Sequence, residues 1–324
     1  MALPLISGIK MQEPPAAKSV NIQFGGSRSS SVISERGADL TLEIPLLDGP
    51  SCKTLLNQCS SINEKDGFII GEKENQIAGI ACIEVEKSPE NPALELYNTL
   101  IKLTGSRQIH RIWNYVPSIN EECNRLENYR SFNIGRHQAF VSAYGEHYSS
   151  RISPASAVGV KGTSLAVAFI AGNEVMENVE NPEQTPAYKY PPEHGPKSPS
   201  FTRGSSGIID GVQMAHLSGT ASIKKDQSLG NNDFIKQYEI TLDNMQLVST
   251  TLGHPAALGV NSQGITREFT FYLRNSEDLA TATELFRGTT GTSGIQCTRF
   301  LHADICRNEL LLEIEGSFSR LLTH

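Results

Sequence analysis

The sequence predicts an α+β protein built from two domains of similar plan in tandem. Three observations carry this. The order helix, strand, helix, strand occurs between residues 92 and 171 and again between 233 and 315. A Pro-rich stretch at 173–206 separates the two halves. The 324 residues are enough for one large domain or two smaller ones, and 38% hydrophobic with 19% charged residues is ordinary for a globular chain.

Residues 1–36 are rich in Gly, Ser and Pro, with one alternating run at 20–24; they predict an edge strand followed by a mobile GGSRSSS segment. A first domain is expected over 37–172. Its strands are read at 40–47 and 77–85, and PALELYNTLIKL (92–103) has helical spacing with Gly105 as its stop. QIHRIWNYV (108–116) alternates as a strand that Pro117 closes. A long helix follows, from Asn120 to about His147, interrupted at Gly135. After PASAVG (154–159) comes an apolar strand at 165–171.

The second domain is expected over 207–324. It opens with two strand-like stretches around Met214 and Thr220, then a helix over 233–252 that ends at Gly253. TREFTFYL (266–273) alternates as a strand. Ser276 is the predicted N-cap of a short helix over 277–287 with acidic residues in its first turn. Strands at 300–305 and 310–315 close the chain. The repeat is one of pattern, not of identical residues.

A net charge of −7 without a Lys/Arg run argues against nucleic acid or an anionic membrane as partner. A few converging Arg or Lys would still hold a small anion. No apolar stretch approaches the roughly 18 residues of a membrane helix. The N-terminal MALPLISGIKMQEPPAAK lacks a charged start and a long apolar core, so it reads as a poor signal peptide. The six cysteines form no CxxC pair and no His/Cys metal spacing. They read as reduced thiols of a cytoplasmic protein without a metal.

Four places carry candidate chemistry. In LLLEIEG (310–316), alternation puts Glu313 and Glu315 on one face with Leu311, and Leu312 and Ile314 on the other. Such a carboxyl is either solvated on a half-exposed strand or desolvated, with a raised pKa suited to a general acid. The corresponding strand of the first half has Ala168 in place of Glu313. In the Pro-rich linker, Arg203 is suited to a bidentate carboxylate clamp and Lys197 to a softer point charge, unless the segment is a strap with packed tyrosines and a solvated Arg. LSGTAS (217–222) offers small residues for the close approach of a ligand or of another strand. Arg136–His137 is a basic pair facing a cleft or a helix surface. No GxSxG, Walker or dinucleotide glycine motif occurs.

Six segments, in this order, resemble the chorismatase family of bacterial secondary metabolism: WNYVPSIN (113–120), ENYRSFNIGRHQAF (127–140), SPASAVG (153–159), YKYPPEHGPKSPSFTRG (188–204), LSGTASI (217–223) and LHADICRNELLLEIEG (301–316). The resemblance spans about 113–316; residues before about 110 carry little signature. It implies two tandem imine-deaminase-like (chorismate-mutase-like) domains, mixed sheets with helices packed on one face. It also implies cofactor-free cleavage of the enolpyruvyl ether of chorismate, releasing pyruvate. Residue by residue, it implies Glu313 as the catalytic acid, with Tyr190, Arg203, Gly219, Cys306 and Arg136 lining the substrate pocket. The Gly219–Cys306 pair resembles the members that form a hydroxybenzoate, 3-hydroxybenzoate first.

Two departures stand out. The family commonly reads YGPR where this chain has His194-Gly195-Pro196-Lys197, and Lys is the weaker carboxylate binder. ISPASAVG replaces the more usual LPAASAVG. Three alternatives remain: hydrolysis to a dihydroxycyclohexadiene carboxylate, an imine or enamine deaminase, and a non-catalytic small-molecule-binding protein. A deaminase needs an Arg near position 298, where this chain has Thr298 followed by Arg299. The resemblance leaves a monomer or a homotrimer open.

Overall fold

The computed structural model describes residues 17–260, 264–296 and 298–322. The N-terminal segment read as a poor signal peptide lies, up to residue 16, outside the described residues. Two sheets carry the repeat. The first has six strands in the order Ala155–Val160, Gln108–Pro117, Ser164–Gly172, Gln76–Glu84, Phe68–Lys73, Ser61–Lys65. The second has seven: Met176–Val179, Gly204–Ile209, Val212–Thr220, Leu312–Leu321, Thr266–Leu273, Thr298–His302, Leu46–Asp48.

The shared plan lies in the pairing. In each sheet two strands run parallel across a helical crossover, Gln108–Pro117 beside Ala155–Val160 and Thr266–Leu273 beside Thr298–His302. The last strand of each half then pairs antiparallel with the first strand of that pair. Both are mixed α+β sheets. Helices Glu90–Thr104 and Asn128–Tyr144 cover one face of the first sheet, where Leu96, Leu100, Phe132 and Phe140 pack with Phe169. Helices Phe234–Thr251 and Leu279–Gln296 cover the second, where Met245, Val248 and Phe286 pack with Phe269 and Phe318. Strand alternation sends the opposite side chains to the helix-free faces.

A third sheet meets those faces. Four strands in the order Ser30–Ser34, Gly37–Leu42, Ser19–Phe24, Cys52–Leu56 contribute Val20, Ile22 and Leu40 to a core shared with Trp113 and Ala168 of the first sheet and Tyr272 and Leu301 of the second. This corrects three expectations. Part of the GGSRSSS segment, expected to be mobile, runs into the strand Ser30–Ser34. The boundary expected at 36/37 divides a sheet, because Gly37–Leu42 pairs with Ser19–Phe24. The single strand expected at 40–47 is broken near Pro45, which has no N–H to give a ladder. The chain leaves the small sheet there and supplies Leu46–Asp48 to the edge of the second.

Other differences are local. The helix expected from Asn120 starts at Asn128, after a short hairpin of Glu122–Cys123 with Leu126–Glu127. Gly135 does not interrupt it: a Cβ there would lie 2.0 Å from the Glu90 carbonyl oxygen, so glycine lets the two helices cross closely. PASAVG forms most of a buried strand rather than a connection. Met176–Val179, inside the expected linker, is an edge strand of the second sheet. Ser276 begins a three-ten turn instead of capping a helix, and the helix beyond it runs on to Gln296 with a kink at Gly291, where φ is 71°. The helix Phe234–Thr251 is capped by a side chain, Asp233 accepting from the Lys236 N–H at 2.9 Å. Among the described residues no helix is long and apolar enough to cross a membrane.

If the small sheet is part of the shared core, Leu40→Ala destabilises the whole chain by about 2–5 kcal/mol. Denaturant unfolding followed by tryptophan fluorescence checks this, since Trp113 sits across that core. An unshifted midpoint would mean the small sheet is an appendage.

Candidate active site

The closing strand Leu312–Leu321 places Leu312 and Ile314 on the helix side and Glu313 and Glu315 on the side facing the first half. Both carboxylates are buried, at 3% and 2% exposure, which removes the solvated alternative. Their surroundings differ. Glu315 pairs with Arg111 at 2.9 Å and Lys53 at 3.2 Å. It also accepts from Trp113 Nε1 at 3.0 Å and Ser156 Oγ at 2.5 Å. Burial alone would raise its pKa, but Lys53, Arg111 and these two donors outweigh burial and hold it down at about 2.

Glu313 has no such company. Its Oε1 is buried without a hydrogen-bond partner. Burial, reinforced by the anionic Glu315, pushes its pKa up to about 8, against the pull of Arg111 and Arg203. It is therefore a neutral acid at neutral pH. Gly219 makes room for it: a Cβ at that position would lie 1.8 Å from Glu313 Oε1. The ladder between Val212–Thr220 and the closing strand shifts register between Leu217 and Thr220, which sets Gly219 apart from regular pairing.

Glu313 and Gly219 sit in the wall of a cavity of about 730 Å³. Arg136, Tyr190, Arg203 and Cys306 line the same cavity, so the structure brings all six predicted site residues together. Arg203 donates from Nη2 to Tyr190 Oη at 2.8 Å and lies over the Phe201 ring. Arg136 donates to Asn133 Oδ1 at 2.7 Å and lies over Phe132. The Nε of each guanidinium is buried and unpartnered. Among the described residues, neither Arg136 nor Arg203 forms an ion pair with a carboxylate. Two desolvated cations with spare donors await an anionic ligand. The Cys306 thiol is pushed up to about 12, by burial first and then by Glu313, so it is neutral beside the acid.

The linker segment forms one wall. Tyr190, His194, Pro199, Phe201 and Arg203 all line the cavity. His194 Nε2 lies 3.0 Å from Asp226 Oδ2, and Arg307 donates to the Asp226 carbonyl at 2.8 Å while its guanidinium lies over Tyr190. Lys197 is exposed and does not line the cavity, and His137 packs edge-on against Tyr148 away from it. Sequence reasoning missed Ser156, Arg111, Trp113 and Lys53. Ser156 and Trp113 carried a signal, lying within the SPASAVG and WNYVPSIN segments of the family resemblance; Arg111 and Lys53 carried none.

A buried neutral acid beside two guanidinium groups that pair with no carboxylate, inside one cavity, can serve as an acid–base site for a small anionic molecule. The comparisons agree with that class. Residues 57–171 match the family model for the N-terminal domain of FkbO/Hyg5-like chorismatases. Over 228 residues the chain is 34% identical to a 3-hydroxybenzoate synthase of Streptomyces hygroscopicus, covering 67% of this chain and 65% of the synthase. A chorismatase of the same organism is 32% identical over 235 residues, covering 68% of this chain and 65% of that enzyme. The crystal structure of a chorismatase overlays with a TM-score of 0.81 at 23% identity, covering 96% of this chain and 95% of that one. The chain belongs to the chorismatase family. The aligned stretch spans just under two thirds of the length of the two curated relatives.

Two outcomes follow from this geometry. Gly219→Ala displaces the Glu313 carboxyl, which a crystal structure of the variant checks; an unmoved carboxyl contradicts the assignment of Gly219 as its seat. The two glutamates also make opposite contributions to stability. Glu315 stabilises above the ordinary 4.5 and loses this as pH falls toward about 2. The contribution of Glu313 is fully present below 4.5 and is lost as pH rises toward about 8. Denaturant unfolding of Glu313→Gln is therefore flatter than wild type between those values; parallel curves contradict the raised pKa.

Proposed function

We propose that this chain is an enzyme that converts chorismate to pyruvate and a hydroxybenzoate, 3-hydroxybenzoate in the first instance, with Glu313 as the general acid. The observation that carries the reading is the buried, unpartnered carboxyl of Glu313 in a cavity with two arginines that pair with no carboxylate. Chorismate is a dianion with a vinyl ether. The Glu313 proton passes to the terminal methylene carbon of that ether, leaving an oxocarbenium ion on the adjacent carbon and a carboxylate on Glu313. The new anion stands beside the cation it created.

Water adds to the cationic carbon and loses a proton, the resulting hemiketal breaks its bond to the ring oxygen and releases pyruvate, and the ring diol left behind loses one hydroxyl as water together with a ring proton to become the hydroxybenzoate. Arg203 and Arg136 hold the substrate carboxylates and fix the ether against Glu313. Tyr190, bonded to Arg203, closes one side of the pocket. Protonation and capture of a vinyl ether require no metal or organic cofactor. Gly219 and Cys306 bound the space around the acid, and the likeness to a 3-hydroxybenzoate synthase favours the aromatic product over the diene diol.

The deaminase alternative loses support from Arg299, the residue that would have to grip the substrate. Its guanidinium is buried, pairs with Glu268 and donates to the Cys52 carbonyl at 3.0 Å, away from the cavity. The five cysteines free among the described residues are compatible with a cytoplasmic enzyme.

The test is pyruvate release from chorismate by purified protein without added metal, with the aromatic products separated by chromatography. Glu313→Gln is expected to lose about 10²–10⁴ in kcat. Arg203→Lys is expected to raise KM about tenfold. Wild-type activity declines as pH rises through about 8, where Glu313 loses its proton. A wild type that binds chorismate but releases no pyruvate contradicts the reading and favours a binding protein.

A further inference from the structure

Two carboxylates stand two residues apart on the same face of one strand, both buried, with opposite fortunes. Glu315 has two cations and two neutral donors within hydrogen-bond reach. Glu313 has a buried oxygen with none. The first opens toward the interior between the sheets, the second toward the cavity. The acid of the proposed reaction must keep its proton until substrate arrives. We propose that Glu315 is the positioning residue of this site: it holds Lys53, Arg111, Trp113 and Ser156 to itself and stands as a permanent anion beside Glu313, so that the one proton of the pair resides on Glu313. This rests on the reading of Glu313 as the acid and adds the device that keeps it so.

The charge arrangement supports it. From the small sheet comes Lys53; from the first sheet Arg111, with Trp113 and Ser156 as neutral donors. From the second sheet come Glu268 and Arg299, which pair with one another, Glu268 also lying 3.6 Å from Lys53. Three cations thus face two carboxylates around Glu315. Tyr115 and Tyr272 face the same interior and are neutral, their pKa values raised by burial and by Glu315. His216 on the neighbouring strand is held neutral, with a pKa lowered to about 3 by burial. Around Glu313 stand Arg203 from the linker and Arg136 and Tyr129 from the helix Asn128–Tyr144. Cys306 comes from the turn before the closing strand.

With Glu315 neutral, Arg111 and Lys53 lose their nearest anion, and their field falls on the only other carboxyl on that face. Glu313 would then ionise before substrate binds and could no longer donate. Ser156 makes the link physical. Its Oγ donates to Glu315, accepts from Arg111 Nη2, and lies 3.1 Å from where a Cβ on Gly219 would be, beside the Glu313 carboxyl. It partitions the two carboxylates into separate compartments.

The experiment is a carboxyl titration by NMR on protein with ¹³C-labelled glutamate, the Glu313 resonance being assigned by its loss in Glu313→Gln, together with the pH profile of pyruvate release. In Glu315→Gln, the Glu313 midpoint is expected to fall by about one pH unit or more, and the alkaline limb of activity to move by the same amount. Glu315→Asp, which keeps the charge, is expected to restore a midpoint near that of wild type. Should Glu315→Gln fail to fold, the charge-balanced double variant Lys53→Met with Glu315→Gln is measured the same way, with a smaller downward shift expected, since Arg111 alone is then left without its anion. A midpoint that does not move in the variant that folds overturns the proposal, even if the wild type releases pyruvate. A shifted midpoint in a protein that releases no pyruvate supports the proposed charge assignment and overturns the functional reading instead.

Discussion

The fold depends on the buried ion cluster around Glu315. One carboxylate gathers Lys53 from the small sheet, Arg111, Trp113 and Ser156 from the first sheet, and through Lys53 reaches Glu268 and Arg299 of the second. Taking such charges out of water is costly, and a buried pair that loses one partner is strongly destabilised. The three sheets must therefore meet in one arrangement, with every member in place. Apolar contacts among Ile22, Leu40, Trp113, Tyr272 and Leu301 surround the cluster and make the joint dry. In that dry setting an unpaired carboxyl keeps its proton, which is the condition the proposed chemistry needs.

The two halves share a plan and differ in what they present at one place. The last strand of the first half has Ala168 packed in the shared core, and the last strand of the second has Glu313 facing the cavity. Neither half builds the site alone. Arg136 and Ser156 come from the first, Gly219, Cys306 and Glu313 from the second, and Tyr190 and Arg203 from the segment between them. The connecting segment is thus a wall of the cavity, stiffened by prolines and tied by Arg203 to Tyr190 and by His194 to Asp226.

Much of this was legible in the sequence where a residue's neighbours along the chain decide its role. Alternation in TREFTFYL placed its strand at Thr266–Leu273, and alternation in LLLEIEG put both glutamates on one face. The recurring order of elements gave the tandem plan. The small sheet was harder to see. Its two central strands are legible, one as an edge strand at 20–24 and the other as part of a longer strand at 40–47, but its outer strands Ser30–Ser34 and Cys52–Leu56 are not, the former because SSVIS is largely polar and exposed. The hairpin before the helix at Asn128 escaped because Leu126 and Tyr129 fit a helical stripe as well as they fit two short elements. What no local pattern holds is the pairing of Lys53 with Glu315, 262 residues apart in the chain. By alternation alone the two glutamates look alike; the family resemblance singles out Glu313, and the packed structure supplies the physical reason, four partners for Glu315 and none for Glu313 Oε1.

The measurement closest to the central claim is infrared difference spectroscopy at neutral pH between wild type and Glu313→Gln, in the carbonyl-stretch region of protonated carboxyl groups. A protonated-carboxyl band present in wild type and absent from the variant is the predicted result, because Glu313 is a neutral acid in the resting protein. A difference spectrum that shows only loss of an ionised carboxylate would contradict the account: Glu313 would then have no proton to give.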